Sequence, residues 1–531
     1  MKKLVFVLLI ISLVVCCSCS KATSAEPTIP NQVKITGGSV QGVAENSLTV
    51  FKGIPYAAPP VGNLRWKAPQ PVKPWKGVLK ADHFGPSAPQ IVAHNFARLS
   101  SDVGKISEDC LYLNVWTPAL QKARKNLPVM VWIHGGGFAM GSTTQANWTC
   151  EKLAEKDVVL VSLNYRLGVL GFLTHPELTA ENPQHTSGNY GLLDQLAALK
   201  WVQDNITAFG GDPKNVTIFG ESAGGISVSM LCASPLAKGL FKRAICESGG
   251  AFGPIEEKRM LGVQRLKVTE QNGLDLAQRV GAKNLAELRQ IPIERFIKDK
   301  ASVMGGLWPV CDGYVITDDA YKLYKQGKYN DVDVLIGTNS NEGATFVQGP
   351  VHKEAYLQYV KLFGPLEPLA LKVYPGTTDA EALASMRNIV MDTIFAWPTY
   401  TWARLQSQTG KGRVYVYYFN RNDAENNAAA SFKGAAHSDE INYVFGHINT
   451  TFNAHYTDKD RALSSTMMSY WTTFAKTGNP NAPGLPAWPR YKEGADTIMY
   501  LDPDQVQAGP QPNLARLQLL DIFFNAIHGL N

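Results

Sequence analysis

The stretch "FGESAGG" (219–225) sets a serine between two glycines, directly after the apolar run Val216-Thr217-Ile218. A serine at that spacing is either a nucleophile held on a tight turn or one polar residue in a glycine-rich loop. With 46 glycines in 531 residues, a bare Gly-x-Ser-x-Gly arises by chance in roughly one such chain in four or five, so context decides. Ser222 stands between "NVTIF" (215–219), which reads as a strand, and "ISVSMLCA" (226–233), which can begin a helix. A nucleophile elbow needs that placement. Gly220 and Gly224 let the backbone turn without a Cβ clash, and the serine is pushed out at the carboxyl edge of a sheet with a helix amino terminus behind it.

A serine hydroxyl is a weak nucleophile at neutral pH, so it needs a base, together with donors for the oxyanion that forms on attack. A second stretch, "WIHGGGF" (132–138), follows an apolar run and leaves the amides of three successive glycines free to approach a substrate oxygen. The competing use of such a loop is a phosphate cradle, but no Gly-Lys-Ser/Thr follows it and the dinucleotide-binding glycine spacing is absent. The expected oxyanion hole is therefore Gly136 and Gly137 with the amide of Ala223.

The elements that must position these residues alternate along the chain. "PVMVWIH" (128–134) and "VVLVSLN" (158–164) are continuous valine-rich runs, as in buried parallel strands. "GLLDQLAALKWVQDNI" (191–206) repeats its apolar residues at helical spacing. "FKRAICES" (241–248), "DVLIGT" (333–338) and "VYVYYF" (414–419) return to strand, and "GNPNAPGLPAWP" (478–489) reads as a long surface loop. The alternation predicts an α/β fold with a mainly parallel sheet in one domain over 26–531.

Composition narrows the function. At 45% hydrophobic and 18% charged the chain has ample material for a core. Its formal charge of +6 is spread without any block of consecutive Lys or Arg, so no nucleic-acid partner is expected. Lys2 and Lys3 precede an apolar run from Leu4 to Val15, too short to span a bilayer and built like a secretory signal. The exported product would be periplasmic or secreted. Cleavage after Ala25, giving a signal over 1–25, is one reading. The other is a lipoprotein signal in which Cys19, between Ser18 and Ser20, tethers the chain to a membrane face, although Cys16 and Cys17 depart from the usual residues before it. The remaining cysteines, Cys110, Cys150, Cys232, Cys246 and Cys311, are an odd, sparse set that cannot form a disulfide framework.

Together "EDCLYLNVW" (108–116), "GGGF", "NYRLG" (164–168), "GNYGLLDQLAALKWVQDNITAFGGDPKNVTIFGESAGG" (188–225) and "SPLAKGLFKRAICESG" (234–249) resemble the type-B carboxylesterase/lipase family, which includes the cholinesterases. The resemblance implies an α/β-hydrolase fold, with helical insertions over the active site, and a Ser, Glu, His order. Glu342 in "GTNSNEG" (337–343) matches the family's acid and His437 in "HSDEINYVFG" (437–446) its base. Ser248 and Glu440 match residues that orient the two, while Arg65 with Glu108 and Arg166 with Asp194 match structural ion pairs. The implied activity is a serine carboxylesterase acting on uncharged esters, with no cofactor. There is no His-Glu-x-x-His and no paired cysteine–histidine spacing for a metal. The same triad serves amides, carbamates and thioesters, and a non-catalytic adhesion member of the fold would have lost its serine.

The chain also departs from the family. Ala88 in "FGPSAPQ" (84–90) replaces the usual cysteine, so Cys110 lacks its customary partner. The segment before "EDCLYLN", residues 94–107, carries no Trp or Tyr to hold a quaternary ammonium. In "SVMGGLWPVCDG" (302–313), counting back from Pro309 puts Val303 and Gly305 where cholinesterases carry aromatics that narrow the acyl pocket. An acyl site relieved of two rings is expected, with Leu307 and Trp308 as the neighbours able to turn into it.

Overall fold

The computed structural model describes residues 31–90, 103–122, 124–255, 263–298, 307–421, 433–448 and 456–527. The expected signal segment with Cys19, and Val303 and Gly305 of the expected acyl pocket, lie outside the described residues. One sheet holds β1 (Val43–Glu45), β2 (Leu48–Pro55), β3 (Tyr112–Thr117), β4 (Leu127–Ile133), β5 (Val159–Leu163), β6 (Gly211–Glu221), β7 (Arg243–Glu247), β8 (Asp333–Asn339), β9 (Val414–Phe419), β10 (Thr497–Leu501) and β11 (Gln507–Pro510). Their spatial order is β11-β10-β9-β8-β7-β6-β4-β5-β3-β2-β1. From β10 through β5 in that order every pairing is parallel. Toward both edges the pairing turns antiparallel.

Around the sheet run α1 (Tyr190–Asn205), α2 (Ala223–Ala233), α3 (Leu266–Val280), α4 (Asp379–Met391), α5 (Trp397–Thr409), α6 (Asp458–Thr477) and α7 (Leu514–Ile527). The continuous apolar run of β4 is needed because both of its faces are covered. Val129, Val131 and Ile133 pack with Leu199 of α1, Val228 of α2, Trp402 of α5 and Leu520 of α7. Met130 and Trp132 point the other way, into a core with Met467, Trp471 and Phe474 of α6, as the two-residue period of a strand requires. Helix α6 is fixed at both ends. Thr457 and Asp460 form a reciprocal capping box, and Gly478 closes it at φ 72°.

The stretch 478–489 has no helix or strand, but it is more than a surface loop. Trp488 turns inward to lie edge-on to Tyr470, ring centroids 5.0 Å apart, and donates its Nε1–H to Val416 O at 3.2 Å. Arg166 and Asp194, both buried, make a two-pronged ion pair with bonds of 2.8 and 2.7 Å. Arg65 pairs with Glu108 and also donates to Ile291 O at 2.7 Å. Cys110, Cys150, Cys232, Cys246 and Cys311 are all free thiols in the interior, which agrees with Ala88 leaving Cys110 without a partner.

Candidate active site

Parallel pairing aligns the carboxyl ends of β4, β6, β7 and β8, and the site is built there. In register, Ile133 faces Gly220, Glu221 faces Glu247, and Glu247 faces Gly337. The chain after β6 turns directly into α2, so Ser222 is the residue at the corner, held at φ 56° and ψ −124°. An L-residue is strained there, and the turn is pinned by Ser222 N–H donating to Glu247 O at 3.0 Å. Glycine is required on either side: a Cβ at Gly220 would stand 2.6 Å from Ile133 O, and one at Gly224 would overlap the same carbonyl.

His437 bridges this corner to the end of β8. Its Nε2 lies 2.9 Å from Ser222 Oγ and its Nδ1 lies 2.7 Å from Glu342 Oε2. A carboxylate at Nδ1 fixes the tautomer that presents a lone pair at Nε2 to the serine proton. All three side chains are brought into one hydrogen-bonded chain, with Glu342 wholly buried. Glu342 Oε1 accepts from Ser248 Oγ at 2.6 Å and from the Asn339 amide at 2.7 Å. Glu440 does not touch the imidazole. It accepts from the Asn339 side chain, which also donates to Ala436 O, and its Oε1 lies 3.5 Å from Ser248 Oγ.

Across from the serine, the glycine loop leaves β4 with Gly136 at φ 103° and Gly137 at φ 62°. Among the described residues the amides of Gly136, Gly137 and Ala223 donate to no protein acceptor. His134 braces this loop from beneath: its Nδ1 lies 2.9 Å from Gly135 O, and its ring stacks on Tyr165 at 4.5 Å. Burial pulls its imidazole down to about 4, so it stays neutral, with the Nδ1 proton directed at the carbonyl. Trp308 is half-buried and lies edge-on to Phe138 of the loop at 5.2 Å. Leu307 is half-buried between two core clusters.

Four groups that the linear sequence did not single out share the site. Glu221, directly before the serine, places Oε1 3.3 Å from His437 Nε2. Glu247 accepts from Trp471 Nε1 at 2.8 Å, and burial pushes its carboxyl up to about 8. Burial also pushes Glu221 and Glu440 upward. On His437 burial pulls downward, but the Glu221 charge and the Glu342 bond and charge outweigh it, and the imidazole ends above its ordinary value. Phe395 stacks on the His437 ring at 4.6 Å, and Phe346 lies 5.1 Å from it. Phe395 sits in a π-helical turn, Asp392–Ala396, between α4 and α5. Asp392 is anchored there by Arg516 at 2.8 Å and Tyr374 Oη at 2.8 Å. No local pattern singles out the two glutamates, because the strands they end also carry Asp212, Lys214, Asn215 and Arg243. Phe346 stands one helical turn beyond Glu342, whereas nothing in the string marks Phe395.

Comparison with known proteins supports the same assignment. The carboxylesterase family model matches residues 29–520. The chain is 38% identical over 480 residues to the para-nitrobenzyl esterase of Bacillus subtilis (strain 168), covering 88% of this chain and 93% of that one. It is 35% identical over 512 residues to the fumonisin B1 esterase of Sphingopyxis macrogoltabida, covering 90% and 88%. A solved structure of PNB esterase superposes with a TM-score of 0.80 at 35% identity, over 93% of this chain and 99% of the other. By motif, fold and extended similarity, this chain belongs to the carboxylesterase family of serine hydrolases on the α/β-hydrolase fold.

Proposed function

We propose that the protein is a serine carboxylesterase that hydrolyses uncharged carboxylic esters through an acyl-enzyme on Ser222. The observation that carries this reading is the unbroken chain from Ser222 Oγ through His437 to Glu342, at 2.9 and 2.7 Å. His437 Nε2 takes the hydroxyl proton as Oγ attacks the ester carbon, then returns it to the leaving alcohol. Glu342 holds the ring and stabilises the imidazolium. The amides of Gly136, Gly137 and Ala223 receive the developing oxyanion as a fixed set of dipoles. Water then repeats the cycle and frees the acid. Ser248 and Glu440 support the acid through the Asn339 network.

The acyl preference follows from the small residues Val303 and Gly305. Each further methylene buried on the acyl side contributes about 0.8 kcal/mol, so kcat/KM should rise from acetyl to butyryl or hexanoyl esters before the chain outgrows the site. Gly305→Phe should depress butyrate turnover more than acetate turnover. Without an ammonium cage before "EDCLYLN", choline esters should gain nothing over neutral esters of the same acyl group. Purified protein assayed against p-nitrophenyl esters, choline esters, amides and thioesters tests the reading. Efficient turnover of the esters supports it, and turnover confined to amides or absent altogether contradicts it.

A further inference from the structure

We propose that Ser438 is a positioning residue for the base: its hydroxyl holds the buried Glu221 carboxylate ionised beside His437 Nε2, and this sets the pH at which the base becomes active. The proposal rests on the esterase reading above and adds a residue to it.

Two oxygens share one nitrogen in this site. His437 Nε2 lies 2.9 Å from Ser222 Oγ and 3.3 Å from Glu221 Oε1. Because Glu221 and Ser222 are consecutive, the end of β6 delivers the carboxylate together with the nucleophile. Glu221 is fully buried, which disfavours its charged form. Ser438 opposes that pressure by donating Oγ–H to Glu221 Oε1 at 2.6 Å, a bond that favours the carboxylate over the acid. Among the described residues Glu221 Oε2 has no partner, so Ser438 is the hydrogen-bond support of this carboxylate.

The backbone at Ser438 points the same way. The residue directly after the base stands at φ 73°, a left-handed conformation that glycine adopts freely and serine does not. What serine adds at that position is the hydroxyl. Placed this way, it biases a proton shared by the pair toward His437 rather than Glu221. During attack the Ser222 proton arrives on Nε2 while an ionised Glu221 faces it, so the same bias favours the imidazolium in the transition state. The titratable groups nearest the imidazole among the described residues are acids: Glu342 from the end of β8 and Asp439 in the next turn, with Glu440 and Glu247, both pushed toward their neutral forms by burial, behind. Phe346 and Phe395 cover the ring without charge.

The test is the pH profile of kcat/KM on p-nitrophenyl acetate, which reports the free enzyme's base, for the parent, Ser438→Gly, Glu221→Gln and the double variant. Glycine suits φ 73°, so Ser438→Gly should melt at or above the parent temperature. Without the hydroxyl, Glu221 protonates more readily, His437 loses a neighbouring charge, and the acid limb moves to lower pH by about half to one unit, a three- to tenfold change in proton affinity. Glu221→Gln should move it in the same direction and at least as far, and adding Ser438→Gly to Glu221→Gln should move it no further. An unmoved limb in Ser438→Gly, a shift to higher pH, or an equal extra shift in the double variant would overturn the proposal. If Glu221→Gln is too slow to profile, the Ser438→Gly profile decides alone. A parent protein without esterase turnover would instead defeat the functional reading itself.

Discussion

Two buried carboxylates approach one imidazole from opposite sides, Glu342 at 2.7 Å and Glu221 at 3.3 Å, and the division of labour between them is set by which ring nitrogen each meets. Glu342 orients the tautomer, so Glu342→Gln should lose less activity than His437→Ala, and Ser222→Ala should lose about 10⁴-fold or more with its fold intact. Near-parental turnover in Ser222→Ala would sink the mechanism. The pH dependence follows from the sign of the shift. His437 is raised by its acidic neighbours and must be neutral to accept a proton, so kcat/KM should fall as pH drops through a value above the ordinary imidazole value of about 6.5. An acid limb at or below that value would contradict the geometry. Glu247 gives a stability counterpart. Its folded carboxyl, raised to about 8, stays protonated while the unfolded one ionises above about 4.3, so its effect is to lower stability as pH rises between those values. Glu247→Gln should therefore gain in relative melting temperature from pH 5 to pH 8, and a difference that stays flat would argue against it. Ser222 was legible because the glycines around it meet a fixed backbone demand, whereas Glu342 and His437 were legible through the resemblance of "GTNSNEG" and "HSDEINYVFG" to the family's frames. Glu221 and Glu247 were not, because their importance comes from facing each other across β6 and β7, and register is invisible in a string.

The elbow, the glycine loop and the π-turn hold these side chains still. The apolar runs located β4 through β9 to within a few residues, because a strand covered on both faces must be apolar throughout. The antiparallel edge strands were missed: β1 and β11 are short and half-exposed, and their pairing is a tertiary choice. The π-turn at Asp392–Ala396 was equally hidden, since it depends on Asp392 meeting Arg516 from α7. Trp488 was read as part of a loop because its Pro- and Gly-rich neighbours mask a buried anchor. Among element contacts, the Arg166–Asp194 pair ties the chain after β5 to α1. Cutting one partner from a buried pair leaves an unpaired charge, so Asp194→Ala should cost about 3–5 kcal/mol in denaturant unfolding. A loss under about 1 kcal/mol would mean the pair is not what holds that corner.

At the scale of the whole molecule, the parallel centre of the sheet gathers every functional strand end at one edge, where ligands of open α/β sheets bind. Export is proposed on the signal-like segment alone: the protein recovered from the exported fraction should begin at Glu26, and a lipid-modified amino terminus at Cys19 in the membrane fraction would replace that reading with the tethered one. The central claim concerns the chemistry at the sheet edge, that Ser222 is the residue acylated during turnover. Its most direct test is to inactivate the protein with an organophosphate or sulfonyl fluoride and map the modified peptide by mass spectrometry. The account predicts one adduct per chain, on Ser222 in "FGESAGG", rising in step with the loss of ester hydrolysis. An adduct on any other residue, or full inactivation with Ser222 unmodified, would contradict it.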